Sequence, residues 1–323
     1  MRCLQIALIA VATTVLPLRA ALSQNAADYP AKPVRVIVPA APGGGIDIPA
    51  RLFAQMLSDS LKRPFVVDNR AGGGGVIAHE LVARSAPDGY TLLAAAPIFT
   101  IASAMNTNLP YDPVRDYTPI SLVTKGPYLL LVNPAFAAKS VKELIAFAKS
   151  SPGALNVGVS TGGGSHLAAA LFASMAGMRV ALIPYKGSGP VTIDTISGQL
   201  HMFFGNVGSS TPHIKSGRLR ALAVSGAQRS SVLPELPAIA ESVPGFDVTF
   251  WHGWLAPAGT PSAIVRRLNA ELARAVRSPE VDKKLAEDGG EPVGSTSEKF
   301  RELIAIEIPR WRKVVKEAGI RAE

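Results

Sequence analysis

The chain has 323 residues, 48% of them hydrophobic and 18% charged, with a formal net charge of +9 and a single cysteine. That balance belongs to a globular protein large enough for about two cores, and no low-complexity tract interrupts it. The basic residues are scattered, without a Lys/Arg run or interleaved aromatics, which argues against a nucleic-acid partner.

The first residues read as a targeting segment. Arg2 supplies a basic start, Leu4 to Leu16 is almost wholly apolar, and Ala21-Leu22-Ser23 places small residues at a cleavage spacing. The apolar run is short for a membrane span, so a signal peptide cleaved after Ser23 is expected, with the mature protein in the periplasm. Loss of Arg2 and Arg19 lowers the charge from +9 to +7, which reads either as a basic surface that steers an anion or as charge that simply keeps the protein soluble. Cys3 leaves too, so the mature chain has no thiol, disulfide or cysteine metal ligand, as suits an oxidising compartment.

From Val34 onward strand and helix patterns alternate. Strands are predicted at 34–40, 65–69, 91–95, 120–124, 128–132, 156–160, 180–184, 202–205 and 219–225. Helices are predicted near 48–60, 75–85, 140–150, 166–176 and 188–197. This alternation predicts an α/β protein with parallel sheets flanked by helices. In the first helix Ile48, Leu52, Phe53, Met56 and Leu57 form one apolar stripe, with Arg51, Gln55 and Asp59 opposite. Ser140 and Glu143 form a capping-box pattern, and Pro152-Gly153 stops that helix. The tail is helical again, starting at Pro261 and ending in a helix from about Ser297 to Ala318.

A boundary is expected near Thr124–Pro127, with the chain returning at about Pro244–Phe250 after a proline-rich stretch. This divides the chain into a leader (1–23), a first lobe in two segments (24–126 and 247–323) and a second lobe inserted between them (127–246). Two crossings between lobes make a hinge.

One phrase occurs twice: an apolar strand, a glycine-rich turn, a helix. The first turn is Pro42-Gly43-Gly44-Gly45-Ile46-Asp47, and the second is Ser160-Thr161-Gly162-Gly163-Gly164-Ser165. In an open α/β sheet such turns lie at the carboxyl ends of strands, where ligands bind, and helix N-termini favour anions. Glycine allows positive φ and close approach of a ligand to the backbone. The candidate ligand-binding residues are therefore Pro42, Gly43, Gly44, Gly45, Asp47, Ser160, Thr161, Gly162, Gly164 and Ser165. Asp47 is read either as a helix cap or as an acceptor for a ligand donor. Asp194, in the helix after Pro184-Tyr185-Lys186-Gly187, is either a cleft carboxylate holding bridging waters or a solvated group. Lys186 reads as a surface residue. A third run, Gly72 to Gly75, reads as a turn after its strand rather than a contact.

None of these runs completes a dinucleotide fingerprint or a P-loop, and no cofactor is expected. Gly158-Val159-Ser160-Thr161-Gly162 matches the nucleophile elbow of a serine hydrolase, with Asp194 and His213 following in the required order; this is the best enzyme reading. His79, His166, His201, His213 and His252 show no metal-site spacing, and only His166 adjoins a candidate turn. Trp251 and Trp254 read as packing at the chain's return.

The residues from Tyr29-Pro30 and Lys32-Pro33-Val34-Arg35-Val36-Ile37-Val38-Pro39 through Ala50-Arg51 resemble the opening of the Bug (TctC-like) substrate-binding proteins. These are the extracytoplasmic receptors of tripartite tricarboxylate transporters. The likeness continues through Val66-Val67-Asp68-Asn69-Arg70, Pro87-Asp88-Gly89-Tyr90, Leu109-Pro110-Tyr111-Asp112-Pro113 and Pro184-Tyr185-Lys186-Gly187. It runs on through Gly217-Arg218-Leu219-Arg220 and Ala256-Pro257-Ala258-Gly259-Thr260-Pro261. The resemblance implies a two-lobed, Venus-flytrap binding protein of type II, each lobe a mostly parallel sheet flanked by helices. It implies a small organic carboxylate held by the glycine turns, often through ordered water, and delivery to membrane permease subunits. No catalysis and a monomer are expected; a sensor partner is the alternative to a permease. The chain departs from the family at Ile46, where a threonine is usual, and in a shorter turn before His166.

Overall fold

The computed structural model describes residues 28–317, apart from 44, 107, 161–162 and 186. The leader at 1–23 and the candidates Gly44, Thr161, Gly162 and Lys186 lie outside the described residues.

The first half begins with β1 (Val34–Val38), α1 (Asp47–Leu61), β2 (Phe65–Asn69), α2 (Val76–Ala83), β3 (Thr91–Ala95) and α3 (Ile98–Met105). β1 pairs in parallel with both β2 and β3. Next comes β4 (Tyr117–Val132), then α4 (Val141–Ser150), β5 (Asn156–Ser160), α5 (Gly164–Met175), β6 (Ala181–Tyr185), α6 (Ser188–Ile196), β7 (Met202–Asn206), α7 (Val207–Lys215) and β8 (Arg220–Val224). β5 lies parallel to β6 and β7. The chain closes with β9 (Thr249–Pro257), α8 (Ser262–Val276), α9 (Pro279–Asp288), β10 (Glu291–Pro292) and α10 (Ser297–Glu317). The strand order is β2-β1-β3-β9-β4-β7-β5-β6, with β8 and β10 also on β4.

The parallel pairs lie on the outer sides of the two halves, while every antiparallel pair among the described residues involves β4 or β9. The two strand patterns at 120–124 and 128–132 are one strand. β4 pairs with β9 from Tyr117 to Pro127, and then from Tyr128 to Val132 it pairs with β7 and β8. Gly126 and Pro127 look like a break, yet both fit. Pro127 is the last β4 residue paired with β9, opposite Thr249, and a Cβ at Gly126 would stand 2.5 Å from the Phe250 ring.

Helices cover both faces of each half. α1 and α8 bury Phe53, Leu57, Leu268 and Leu272 with Val34, Val36 and Val38. On the opposite face, Phe99 of α3 and Phe300 and Ile304 of α10 meet Ile37 and Leu93. The other half has a core around Leu130, Val157 and Phe172, and a smaller one around Leu131 and Phe203. α10 divides its apolar face: Phe300, Ile304 and Ile308 enter one core, Trp311 and Val314 the other.

The stripe expected on α1 is rotated. Ile48 is 51% exposed, and Ala50, Phe53, Ala54 and Leu57 are the buried apolar positions. Small alanines let the helix approach the sheet closely. The cap at α4 is as expected, with the Ser140 hydroxyl accepting from the Glu143 amide at 3.2 Å and Glu143 reaching back to the Lys139 amide at 2.8 Å. Among the described residues no helix is long and apolar enough to cross a membrane.

Candidate functional site

The first glycine turn follows β1 and leads into α1. Gly43 has φ +77°, a conformation that only glycine adopts without strain, and neither Gly43 nor Gly45 has any atom within 4 Å of where a Cβ would stand. The turn therefore presents bare backbone to open space. Ile46 occupies the N-cap position and makes no side-chain cap.

Asp47 does the work instead. Its Oδ2 accepts from the Gly43 amide at 2.7 Å and from Arg51 Nε at 2.9 Å, while Oδ1 accepts from Asn69 Nδ2 at 2.9 Å. Burial raises the carboxyl's pKa, but the bonds from Arg51, Gly43 and Asn69 more than offset this and hold it below the usual carboxylate range. Both oxygens are thus spent on the turn, so the structure makes Asp47 an organiser of the backbone. Asn69, missed by the sequence reading, also donates to the Ala40 carbonyl and accepts from Arg51, which ties the end of β2 to the first turn.

The second turn follows β5. Ser160 ends the strand opposite Tyr185, and its carbonyl accepts from the Gly163 amide at 3.0 Å. Gly163 is the N-cap of α5, and Gly164 and Ser165 form its first turn. A Cβ at Gly164 would lie 2.2 Å from the Tyr128 hydroxyl, so only glycine lets the tyrosine come this close. His166, two residues on, is buried, and burial pushes its pKa down.

A line of contacts joins the two turns. From Gly164 it passes to Tyr128 on β4, whose ring lies 5.9 Å from Phe250 on β9. The Phe250 ring is 5.8 Å from that of His252. His252 bonds the Thr124 hydroxyl through Nδ1 at 3.0 Å, and its ring faces the backbone of Gly45. Burial pushes His252 down to about 4, so it is neutral at ordinary pH. Tyr128, Phe250 and His252 thus run in a line from Gly164 to Gly45, and the sequence reading singled out none of the three as candidates. Their signal was spacing of two along strands that pair only through long-range register.

Trp251 and Trp254 are buried packing residues; Trp251 Nε1 donates to Glu307 at 3.1 Å. Asp194 lies on α6 and accepts the Tyr185 hydroxyl at 2.5 Å. That contact and the position of His213 fail the hydrolase wiring: His213 Nδ1 is buried without a hydrogen-bond partner, so no carboxylate orients the imidazole. A surface cavity of about 580 Å³ lies elsewhere, between α1 and α8, lined by Met56, Ser60 and the ion-paired Glu271 and Arg274.

Comparison with known proteins adds identity of another kind. Residues 49–320 match the family model described as the tripartite tricarboxylate transporter family receptor. The chain is 40% identical over 300 residues to Protein BugT of Bordetella pertussis, covering 91% of this chain and 92% of that one. Among solved structures it is similar to R. palustris Rpa4515 with adipate, with a TM-score of 0.80 and 38% identity over 91% of this chain and 99% of that one. It is likewise similar to MatC (Rpa3494) from Rhodopseudomonas palustris with bound malate, with a TM-score of 0.76 and 32% identity, covering 89% of this chain and 100% of the other.

Proposed function

The chain belongs to the tripartite tricarboxylate transporter receptor family, and from that premise we propose that it is a periplasmic receptor which closes on a small organic carboxylate and delivers it to membrane permease subunits. The observation that supports the reading is the line Gly164, Tyr128, Phe250, His252, Gly45, which runs from a residue of one glycine turn to a residue of the other. An acid held there meets main-chain N–H groups at the N-termini of α1 and α5, and hydrogen bonds to an ionised group are about twice as strong as neutral ones. No residue needs to react. The adipate and malate held by two similar proteins support a carboxylate ligand here.

In this reading Pro42, Gly43, Gly44, Gly45, Ser160, Thr161, Gly162, Gly164 and Ser165 form the cradle, Asp47 holds its first turn, and Asp194 acts through Tyr185. The lobes are 24–126 with 247–323, and 127–246, hinged where β4 and β9 pass between them, and the receptor works as a monomer. Ligand binding shifts an open–closed equilibrium, and the closed form docks with the permease.

The test is a thermal-shift screen of carboxylic acids on the mature chain, since a ligand of the native state raises Tm by mass action. Gly45→Val adds a side chain into open space at an unstrained φ, so the unliganded Tm is retained while the shift disappears. A shift as large in Gly45→Val as in the wild type removes the first turn from the site.

A further inference from the structure

The floor between the turns has a chemistry of its own. β4 and β9 are in regular antiparallel register from Thr124↔His252 to Pro127↔Thr249. Side chains alternate across a strand, so Thr124, Gly126, Tyr128, Phe250 and His252 share one face, and Lys125 and Trp251 belong to the other. No charged residue stands at the five positions of the floor face. Its polar atoms lie toward the two ends: the Thr124 hydroxyl bonds His252 Nδ1 at 3.0 Å, the His252 ring faces the Gly45 backbone, and the Tyr128 hydroxyl stands 2.2 Å from where a Cβ on Gly164 would be. Gly126 contributes no side chain, because the Phe250 ring fills that space. Tyr128 is buried against Gly164, which leaves the half-buried rings of Phe250 and His252 as the surface on offer.

Resting on the reading that the two turns hold the acid groups, we propose that this floor selects a dicarboxylate whose body between the acid groups is unsubstituted hydrocarbon, and that Phe250 is the specificity-determining residue. Each end of the floor has one main-chain turn for one carboxylate. The body between them lies over carbon. A hydroxyl or third carboxylate on that body is stripped of water and finds neither a donor nor a cation at the Phe250 ring, a penalty that appears as about tenfold or more in affinity.

Adipate and galactarate make the test, since they have the same six-carbon dicarboxylate chain and differ in four hydroxyls. Calorimetric titration of the mature protein is expected to give a Kd for adipate at least about tenfold below that for galactarate. Hexanoate, with the same body and one acid group, binds more weakly than adipate. Phe250→Leu preserves the adipate preference and Phe250→Ser collapses it. Equal or tighter binding of galactarate by the wild type overturns the proposal, whether or not the serine variant folds. So does an unchanged ratio in a folded Phe250→Ser. If a hydroxylated acid binds and Gly45→Val abolishes that binding, the receptor reading stands and this inference alone fails. If no carboxylate binds at all, both fail.

Discussion

Asn69 Nδ2 donates to Asp47 Oδ1 at 2.9 Å, joining the end of β2 to the start of α1 beneath the first glycine turn. Together with the Gly43 amide on Oδ2, this bond makes the turn's shape depend on a buried charge rather than on the glycines alone. Asp47→Ala leaves the Gly43 and Asn69 donors without their acceptor. A stability loss of about 1–3 kcal/mol is expected in urea unfolding, with carboxylate affinity falling further than stability. The depressed Asp47 pKa sets the sign with pH: its contribution is complete above the unfolded carboxylate value and is lost as pH falls through the folded one. A variant that binds acids like the wild type would detach Asp47 from the cradle.

At the second turn, Gly164→Ala forces a methyl to within 2.2 Å of the Tyr128 hydroxyl. Overpacking of this kind costs about 1–3 kcal/mol. Tyr128→Phe removes the atom in conflict, although the ring carbon bearing it remains 3.1 Å from the new methyl. In a double-mutant cycle the Tyr128→Phe background is expected to recover part of the Gly164→Ala loss. Strict additivity of the two changes would place the hydroxyl away from the turn.

Much of this architecture was open to reading in the sequence, and each exception has its own physical cause. The parallel strands β1, β2, β3 and β5 emerged from local patterns because each is a short apolar run ended by a turn. α3 escaped because Phe99, Thr100, Ile101, Ala102, Ser103 and Ala104 are all buried, so it has no polar side to create a period. α7 carries Pro212 within a stretch rich in serine and threonine, which hides a helix. The unity of β4 and the presence of β9 depend on pairing between residues more than a hundred positions apart, where no local rule applies. The glycine turns were legible for the same reason as their strands; the floor joining them was not, because Tyr128, Phe250 and His252 meet only through that pairing.

His79 is fully buried on α2, its Nδ1 bonded to the Tyr111 hydroxyl at 2.9 Å and its Nε2 without a hydrogen-bond partner. Burial pushes its pKa down to about 3. The unfolded chain therefore takes up a proton near the ordinary histidine value while the native state refuses it, and stability falls as pH drops below about 6.5. One such group contributes a slope of about 1.4 kcal/mol per pH unit in that range. His79→Phe keeps an aromatic ring beside Phe99, whose ring is 5.1 Å away, and is expected to flatten the acid limb between about pH 6 and 4.5 in chemical unfolding. An identical slope in the variant would mean that His79 opens to water in the native state.

Glu307 has the opposite sign. It stands on α10 between the residues that enter one core and those that enter the other, and it is 5% exposed. Its carboxyl accepts from the Thr100 hydroxyl at 2.7 Å and from Trp251 Nε1 at 3.1 Å, bonds that favour the ionised form. Burial outweighs them and raises the pKa. The proton is thus held more tightly in the native state than in the unfolded chain. Its stabilising effect is complete below the unfolded value and is lost as pH rises through the folded one. Glu307→Gln cannot ionise, so its stability is expected to decline less than that of the wild type toward alkaline pH. Glu307→Ala instead strands the Trp251 and Thr100 donors and opens a void where α10, α3 and β9 meet, at a cost on the order of 2–5 kcal/mol at every pH. Parallel stability curves for the wild type and Glu307→Gln at every pH above the unfolded carboxylate value would show that the native state holds no extra proton on Glu307.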